Sequence, residues 1–340
     1  MRVLVTGAAG RIGSHLTRLL TGAGHRVRAF VLPGDKRAHN IAGPAVELVF
    51  GRLEDASALS AAVRDVEAVY HLGGALTSRG NTDQEFFDLN VRSTFTLLMA
   101  ARENTRLRHF VYASSDAVYL PSVGAGACYL PVDEQHPRLA GTVYGASKIA
   151  AEDLCFSFWR GFGVPITILR FGATADADEL IDPTSVFARW LYLRAAIAHL
   201  HSMSDSSAKL ASAIQVLRDL DDGADHVVVF ANPAGDPEIR QWGDARDVAQ
   251  GCARVLEVPG AIGEVFNLGG VAPFSADELA RYLSDHVGLS CVTALLPTAR
   301  AAWFVSSAKA RGVLGYTPHW TVFGMVDSAV ESASVRTARH

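Results

Sequence analysis

The chain has 340 residues, 49% of them hydrophobic, with 30 glycines and a formal net charge of −4. That length holds one large α/β domain, or a main domain with a smaller lobe, around a substantial core. The near-neutral charge, with no long run of one sign, argues against nucleic acid or an anionic membrane as partner.

Short apolar runs alternate with helical patterns through residue 170. Residues 2–6 read as a first strand and 11–23 as an amphipathic helix. Strands follow at 26–32, 46–50 and 68–72, then a long helix at 84–104. A fifth strand is expected at 108–114, a helix at 143–161 and a sixth strand at 165–170. Strands alternating with crossover helices predict an α/β fold with a Rossmann-type, doubly wound parallel sheet and helices on both faces. Residues 174–220 are rich in helix formers and are expected to cap a substrate cleft. Within them Trp190 and Tyr192 suit either a pocket wall or core packing, the core being favoured. His199 and His201, two apart, diverge on a helix and read as surface or interface residues rather than metal ligands. The organisation expected is a nucleotide-binding domain at 1–173, with core elements returning near 239–270. A smaller, mostly C-terminal substrate-binding lobe takes 174–238 and 271–330, and 331–340 form a tail.

The four cysteines, Cys128, Cys155, Cys252 and Cys291, are scattered without a C-x-x-C pair and read as reduced thiols. Met1-Arg2 runs into Val3-Leu4-Val5 and then glycines, too short an apolar run for a secretory leader. No stretch approaches 18 uninterrupted apolar residues. A cytoplasmic protein without a membrane partner and without a metal is expected.

Gly7-Ala8-Ala9-Gly10-Arg11-Ile12-Gly13 lies between the first strand and its helix, where a phosphate loop belongs. Glycines let the backbone approach a pyrophosphate, and the helix N-terminus offers free N–H groups and a positive dipole end. The acid that would bind the adenosine ribose at the end of the second strand is missing, because Val31-Leu32 stands there. Asp35 could serve a ribose, Lys36 and Arg37 a 2′-phosphate, and a solvated turn is an equal reading; NAD is favoured slightly over NADP. Tyr144-Gly-Ala-Ser-Lys148 puts Tyr144 and Lys148 on one helix face, about 5–6 Å apart at Cβ. An ammonium so close is expected to pull the phenol down from about 10 toward neutrality. Such a tyrosine exchanges a proton with an alcohol or carbonyl oxygen, and Ser115 could hold that oxygen.

These segments together resemble the extended short-chain dehydrogenase/reductases, the NAD-dependent epimerase/dehydratase family. Gly7-x-x-Gly10-x-x-Gly13 looks like its cofactor loop and His71-Leu72-Gly73-Gly74 like its segment after strand four. Asn90-Val91-Arg92-Ser93-Thr94 resembles its Asn-Val-x-Gly-Thr helix, with Ser93 replacing glycine. Ser114-Ser115-Asp116-Ala117-Val118-Tyr119 resembles its Ser-Ser-x-x-Val-Tyr run. Pro131-Val132-Asp133-Glu134, Arg240 with Asp247-Val248, residues 263–270 and Leu314-Gly315-Tyr316-x-Pro318 match further along.

The resemblance implies Ser115, Tyr144 and Lys148 as catalytic residues. It implies cofactor contacts from Gly7, Ala9, Gly10, Arg11, Ile12, Gly13, Leu32, Asp35, Leu53, Leu72, Gly73, Gly74, Asn90, Tyr144, Lys148 and Phe171. Substrate contacts are expected from Ala75, Thr77, Ser115, Asp116 and Arg240. A homodimer paired through helices 84–104 and 143–161 is also implied.

Departures from the family pattern narrow the chemistry. The dehydratases and sugar-acid decarboxylases carry a glutamate where Ala117 stands, and a methyl group moves no proton. Asp116 matches the dehydratase aspartate but is better read as a turn or capping carboxylate; the fucose-synthase type expects cysteine there. The 4-epimerases place asparagine at the position of Ala173, and their late Arg-Pro-Gly-Asp segment is absent. The favoured reading is a dehydrogenase or ketoreductase acting on a small molecule, a sugar-like or secondary-metabolite alcohol. A nucleotide-sugar 4-epimerase with tightly held NAD is the alternative. A non-catalytic NAD(P)-sensing protein is the competitor from another class.

Overall fold

The computed structural model describes residues 1–76, 80–121, 126–202, 207–299 and 301–337. Its core is a seven-stranded parallel sheet. The first half supplies β1 (Arg2–Thr6), α1 (Arg11–Gly22), β2 (Arg26–Val31), β3 (Val46–Phe50), α2 (Ala56–Val63) and β4 (Ala68–His71). Then come α3 (Asp83–Phe86), a π-helical stretch Phe87–Arg92, α4 (Ser93–Glu103), β5 (His109–Ser115), α5 (Val143–Phe162) and β6 (Ile166–Phe171).

The second half begins with β7 (Thr174–Ala175), α6 (Asp178–Ile181), a 3-10 turn at Phe187–Trp190, α7 (Leu193–Ser202) and α8 (Ala208–Asp219). It continues through β8 (Val227–Ala231), β9 (Ile239–Arg240), β10 (Gly243–Asp244), α9 (Ala245–Arg254), β11 (Val265–Leu268) and β12 (Phe274–Ser275). It closes with α10 (Ala276–Val287), β13 (Cys291–Leu295), β14 (Ala302–Trp303), α11 (Ala308–Leu314) and α12 (Val322–Thr337).

The large sheet runs β11-β6-β5-β4-β1-β2-β3. Strand order reverses between β1 and β4, and there the crossover helices leave to opposite faces and open a crevice at the carboxyl ends of the strands. One face buries Val3, Val5, Val27 and Tyr70 against α1 and α9; the other buries Leu4, Phe110 and Ile168 against α2, α4 and α5. Such strands, covered on both sides, read as continuous apolar runs, which is why their positions were legible.

Two expectations about helices need correction. The helix expected over 84–104 is interrupted by the π-helical Phe87–Arg92, where the ladder takes in one extra residue per turn. Helix α2 was not anticipated, because Ala-Ser-Ala-Leu-Ser-Ala-Ala-Val offers small residues in place of an apolar stripe; Asp55 caps it through Ser57 and Ala58 N–H.

The lobe carries β8 paired with β13 and a small sheet ordered β12-β9-β14. Tyr192 is buried, its hydroxyl donating to Leu180 O, and Trp190 packs edge-on to Phe187 in the lobe core with Trp242. On α7 His199 is half-buried and His201 is exposed. No helix of the described residues is long and apolar enough to cross a membrane, and among them no His, Cys, Asp or Glu cluster could hold a metal ion.

Candidate active site

The glycine loop follows β1. Gly7 adopts φ +68°, which a side chain would strain, and a Cβ there would lie 2.9 Å from Gly73 N. A Cβ at Gly13 would lie 2.2 Å from Gly7 O, so the loop closes on itself only through glycine. Gly10 caps α1 without a side-chain hydrogen bond, which leaves the first N–H groups of the helix open to an anion. Ala9 is buried under the loop, while Arg11 and Ile12 open the first turn of α1, half-buried.

Strand β4 brings His71 and the Gly73-Gly74 pair to the same edge. His71 Nδ1 lies 2.8 Å from Thr6 Oγ1, which also accepts from Gly73 N at 3.1 Å. Its Nε2 lies 3.1 Å from Thr94 Oγ1, and that hydroxyl donates to Asn90 O at 2.6 Å. Thr94 has given its proton away, so Nε2 carries hydrogen and Nδ1 accepts from Thr6, a tautomer assigned from the network. Burial pushes this histidine down to about 3, with the Lys148 charge adding to the effect. Leu53 packs on Gly73, its Cδ1 3.1 Å from where a Cβ would stand. Asn90, on the π-helical stretch, accepts from Ala75 N at 2.8 Å and donates to Ser147 Oγ at 2.9 Å. It thereby ties the end of β4 to the helix that carries Tyr144 and Lys148.

His109 behaves like His71: its ring bonds Thr167 Oγ1 at 2.8 Å, and burial pushes it down to about 4. Both imidazoles stay neutral in the folded chain, whereas in the unfolded chain they take up protons near their ordinary value of about 6.5. The unfolded state therefore binds more protons between these values, and stability falls as the pH drops below about 6.5. At pH 5 each histidine is expected to cost about 2 kcal/mol relative to pH 8. Urea unfolding at both pH values checks this: equal midpoints would show that the two rings are not held neutral.

Ser115 ends β5, and its Oγ accepts from Ala117 N at 3.2 Å and lies 3.3 Å from Asp116 Oδ1. Thr142 caps α5 through Gly145 N, placing Tyr144 in the first turn and Lys148 one turn on. Phe86 meets the Tyr144 ring edge-on at 5.9 Å, and the phenol lies close enough to Ser115 and Asp116 for both to act on its acidity. Lys148 Nζ donates to Ala113 O at 3.0 Å and lies 5.9 Å from the centre of the Tyr144 ring.

The expectation of a lowered phenol is corrected here. Burial pushes Tyr144 up to about 12, with the Asp116 charge adding and the Ser115 hydrogen bond opposing. Lys148 bonds a backbone carbonyl rather than the phenol, and burial pushes it down to about 8 against the pull of Glu152. A lowered phenol would have required the ammonium at the hydroxyl, and spacing along a helix does not settle that distance.

The structure brings Ser115, Tyr144 and Lys148 to one wall, with Gly74 between them and Asn90: a Cβ at Gly74 would lie 2.6 Å from Asn90 Oδ1 and 3.7 Å from Lys148 Nζ. Phe171 ends β6 beside Ser115, its register partner, and Leu72 follows β4. Leu32 is exposed past β2, and Asp35 is bound by the guanidinium of Arg37 at 2.8 and 3.0 Å. Asp116 accepts from Trp303 Nε1 at 2.8 Å, a contact with no signal in the sequence. Arg240 lies apart, on β9 in the lobe: its Nε donates to Glu238 at 2.8 Å and its Nη1 to Trp190 O at 3.1 Å. Thr77 lies outside the described residues.

A dinucleotide fits this crevice. Glycines line it from both sides, unpaired N–H groups open α1, and the lysine and tyrosine face its far end. The model of one family, described as the NAD dependent epimerase/dehydratase family, matches residues 3–269. The chain belongs to that family.

Its resemblance to individual epimerase/dehydratase-family members is broad. A ketoreductase of 4-hydroxy-2-methyl-3-oxo-4-farnesyl-3,4-dihydroquinoline-1-oxide from Stigmatella aurantiaca is 31% identical over 88% of this chain and 84% of its own. An uncharacterized UDP-glucose epimerase of Bacillus subtilis is 27% identical over 85% of this chain and 83% of its own. A short-chain dehydrogenase/reductase superfamily protein from Agrobacterium tumefaciens, crystallised with NAD, superposes with TM-score 0.87 at 32% identity. That match covers 100% of this chain and 99% of the other. The chain is thus an oxidoreductase-type member of an NAD-dependent family whose relatives include ketoreductases and epimerases.

Proposed function

We propose that this protein is an NAD-dependent dehydrogenase or ketoreductase that interconverts a secondary alcohol and a ketone on a small sugar-like or secondary-metabolite substrate. The observation that carries the reading is the convergence of Ser115, Tyr144 and Lys148 on one wall of the glycine-lined crevice. The dinucleotide would lie along the glycine loop, Gly73-Gly74 and Asn90, and it supplies or accepts the hydride when bound. Ser115 holds the substrate oxygen. Tyr144, protonated at neutral pH because burial holds it up to about 12, gives its proton to that oxygen as charge develops there. Lys148, held by Ala113 O, places a positive charge on the same wall.

Two observations favour net redox over nucleotide-sugar epimerisation. Arg240 is engaged by Glu238 and Trp190 O, and Ala173 offers no side-chain hydrogen bond to a substrate. The domain assignment follows the same reading, with 1–173 and, of the elements expected to return near 239–270, α9 and β11 binding NAD, while β9 joins 174–238 and 271–330 in shaping the substrate cleft. Exposed Phe87, Phe95 and Phe162 on the π-helical stretch, α4 and α5 support a homodimer through these helices, which light scattering would report as twice the chain mass.

The reading is tested by denaturing the purified protein and quantifying the nicotinamide it releases. Empty protein that binds added NAD or NADH reversibly is the expected result. Near-stoichiometric NAD that survives gel filtration would replace the dehydrogenase with an epimerase that recycles its cofactor in place.

A further inference from the structure

The 3-10 turn Phe187–Trp190 holds a cation without an anion. Arg189 stacks on Trp190, its Cζ 4.0 Å from the ring centre, and its Nε is closed to solvent with no hydrogen-bond partner. Among the described residues no carboxylate forms an ion pair with it. The charged groups that act on it are cationic: burial pushes Arg189 down to about 10 and Arg11 adds to the effect. Half-buried His199 is pushed down to about 4 by burial and by Arg189 in turn.

Arg11 belongs to the glycine loop at the start of α1. Its guanidinium lies 5.5 Å from the ring of Phe187, on the same turn as Arg189, and is bound by Glu179 at 2.5 and 2.6 Å. Glu179 therefore neutralises Arg11, and among the described residues no carboxylate is left to pair with Arg189. A partly buried charge whose buried Nε has no partner opposes folding, and a guanidinium fork matches an oxyanion in shape and charge. The turn also sits where the lobe meets the carboxyl edge of the sheet, the side on which open α/β sheets take their ligands.

We propose that Arg189, with Arg11 beside it, receives an oxyanion, a carboxylate or a phosphate group, of a ligand bound between the glycine loop and the lobe. Two sources carry that chemistry: an acidic group on the substrate, and the pyrophosphate of the dinucleotide. Naming the substrate as the source rests on the dehydrogenase reading above, whereas the anion site does not.

The test uses the full chain and inorganic phosphate, with melting followed against chloride at constant ionic strength. Wild-type protein is expected to melt higher as phosphate is added. Arg189→Gln is expected to lose the part of that shift that phosphate at Arg189 provides, and to need about tenfold more phosphate for half-effect. Phosphate held only on the glycine loop would give the same shift in both proteins and would overturn the proposal. So would a wild-type protein that phosphate does not stabilise, a result that stands even if the variant fails to fold. Arg189→Lys, which keeps the charge and loses the fork, should fall between the two.

The affinity of NAD, read by fluorescence in the same proteins, separates the sources. An affinity unchanged in Arg189→Gln assigns the anion to the substrate, and an affinity weakened about tenfold assigns it to the pyrophosphate. None of these readouts requires turnover, so they hold or fail independently of the reaction assigned to Ser115, Tyr144 and Lys148.

Discussion

Replacing Tyr144 with phenylalanine is expected to lower turnover by about 10³-fold, within the range lost with a general acid, while NAD binds as before. Phenylalanine keeps the ring that meets Phe86 at 5.9 Å and deletes only the hydroxyl beside Ser115. The packing of α5 against β5 is untouched, so a fall in rate reports chemistry rather than folding. Direction matters too: a phenol held up to about 12 stands protonated at neutral pH, placed to give a proton rather than take one. The variant should therefore lose reduction of a ketone when NADH oxidation is followed over a panel of carbonyl compounds. A variant that turns over at the wild-type rate would remove Tyr144 from the proton path.

Much of the fold was legible because the chemistry that places strands is local. Val3-Leu4-Val5 and Ala29 to Leu32 are apolar runs and Ile166 to Leu169 is broken only by Thr167, each bounded by proline or a polar or charged residue, and six strands fall within one residue of their expected ends. The glycine loop was legible for the same reason, since Gly7 and Gly13 stand where no side chain fits. What escaped depends on distances that no spacing encodes. The π-helical Phe87–Arg92 changes which residue meets which carbonyl without changing composition. Lys148 is four residues from Tyr144, yet its ammonium bonds Ala113 O. Trp303 reaches Asp116 across 187 residues, and Arg189 stands out because its buried Nε has no hydrogen-bond partner and no ion pair among the described residues.

A second large effect is expected at Glu152, one turn beyond Lys148 on α5 and closed to solvent. Both of its carboxylate oxygens accept from Arg170, at 2.8 and 2.6 Å, and Arg170 Nη1 donates to Tyr119 at 2.7 Å. Tyr119 donates in turn to Asn267 Oδ1 at 2.8 Å, and Asn267 N donates to Glu134 at 2.7 Å. Helix α5, β6, β11 and the segment before α5 are thus joined through one largely buried chain of hydrogen bonds. Glu152→Ala leaves the Arg170 guanidinium buried without its anion, and a loss of about 3–5 kcal/mol is expected, read as a lower urea midpoint. The loss comes from the stranded charge more than from the missing attraction, because desolvation offsets most of what a buried pair gains. Removing both charges should consequently hurt less than removing one: Glu152→Leu combined with Arg170→Met is expected to recover more than half of the loss. If the double variant were as unstable as the single one, the pair would be holding α5 against β6 through geometry that apolar side chains cannot replace. The ammonium of Lys148 would also lose the carboxylate that raises its affinity for a proton, so the double variant should fold better than it catalyses.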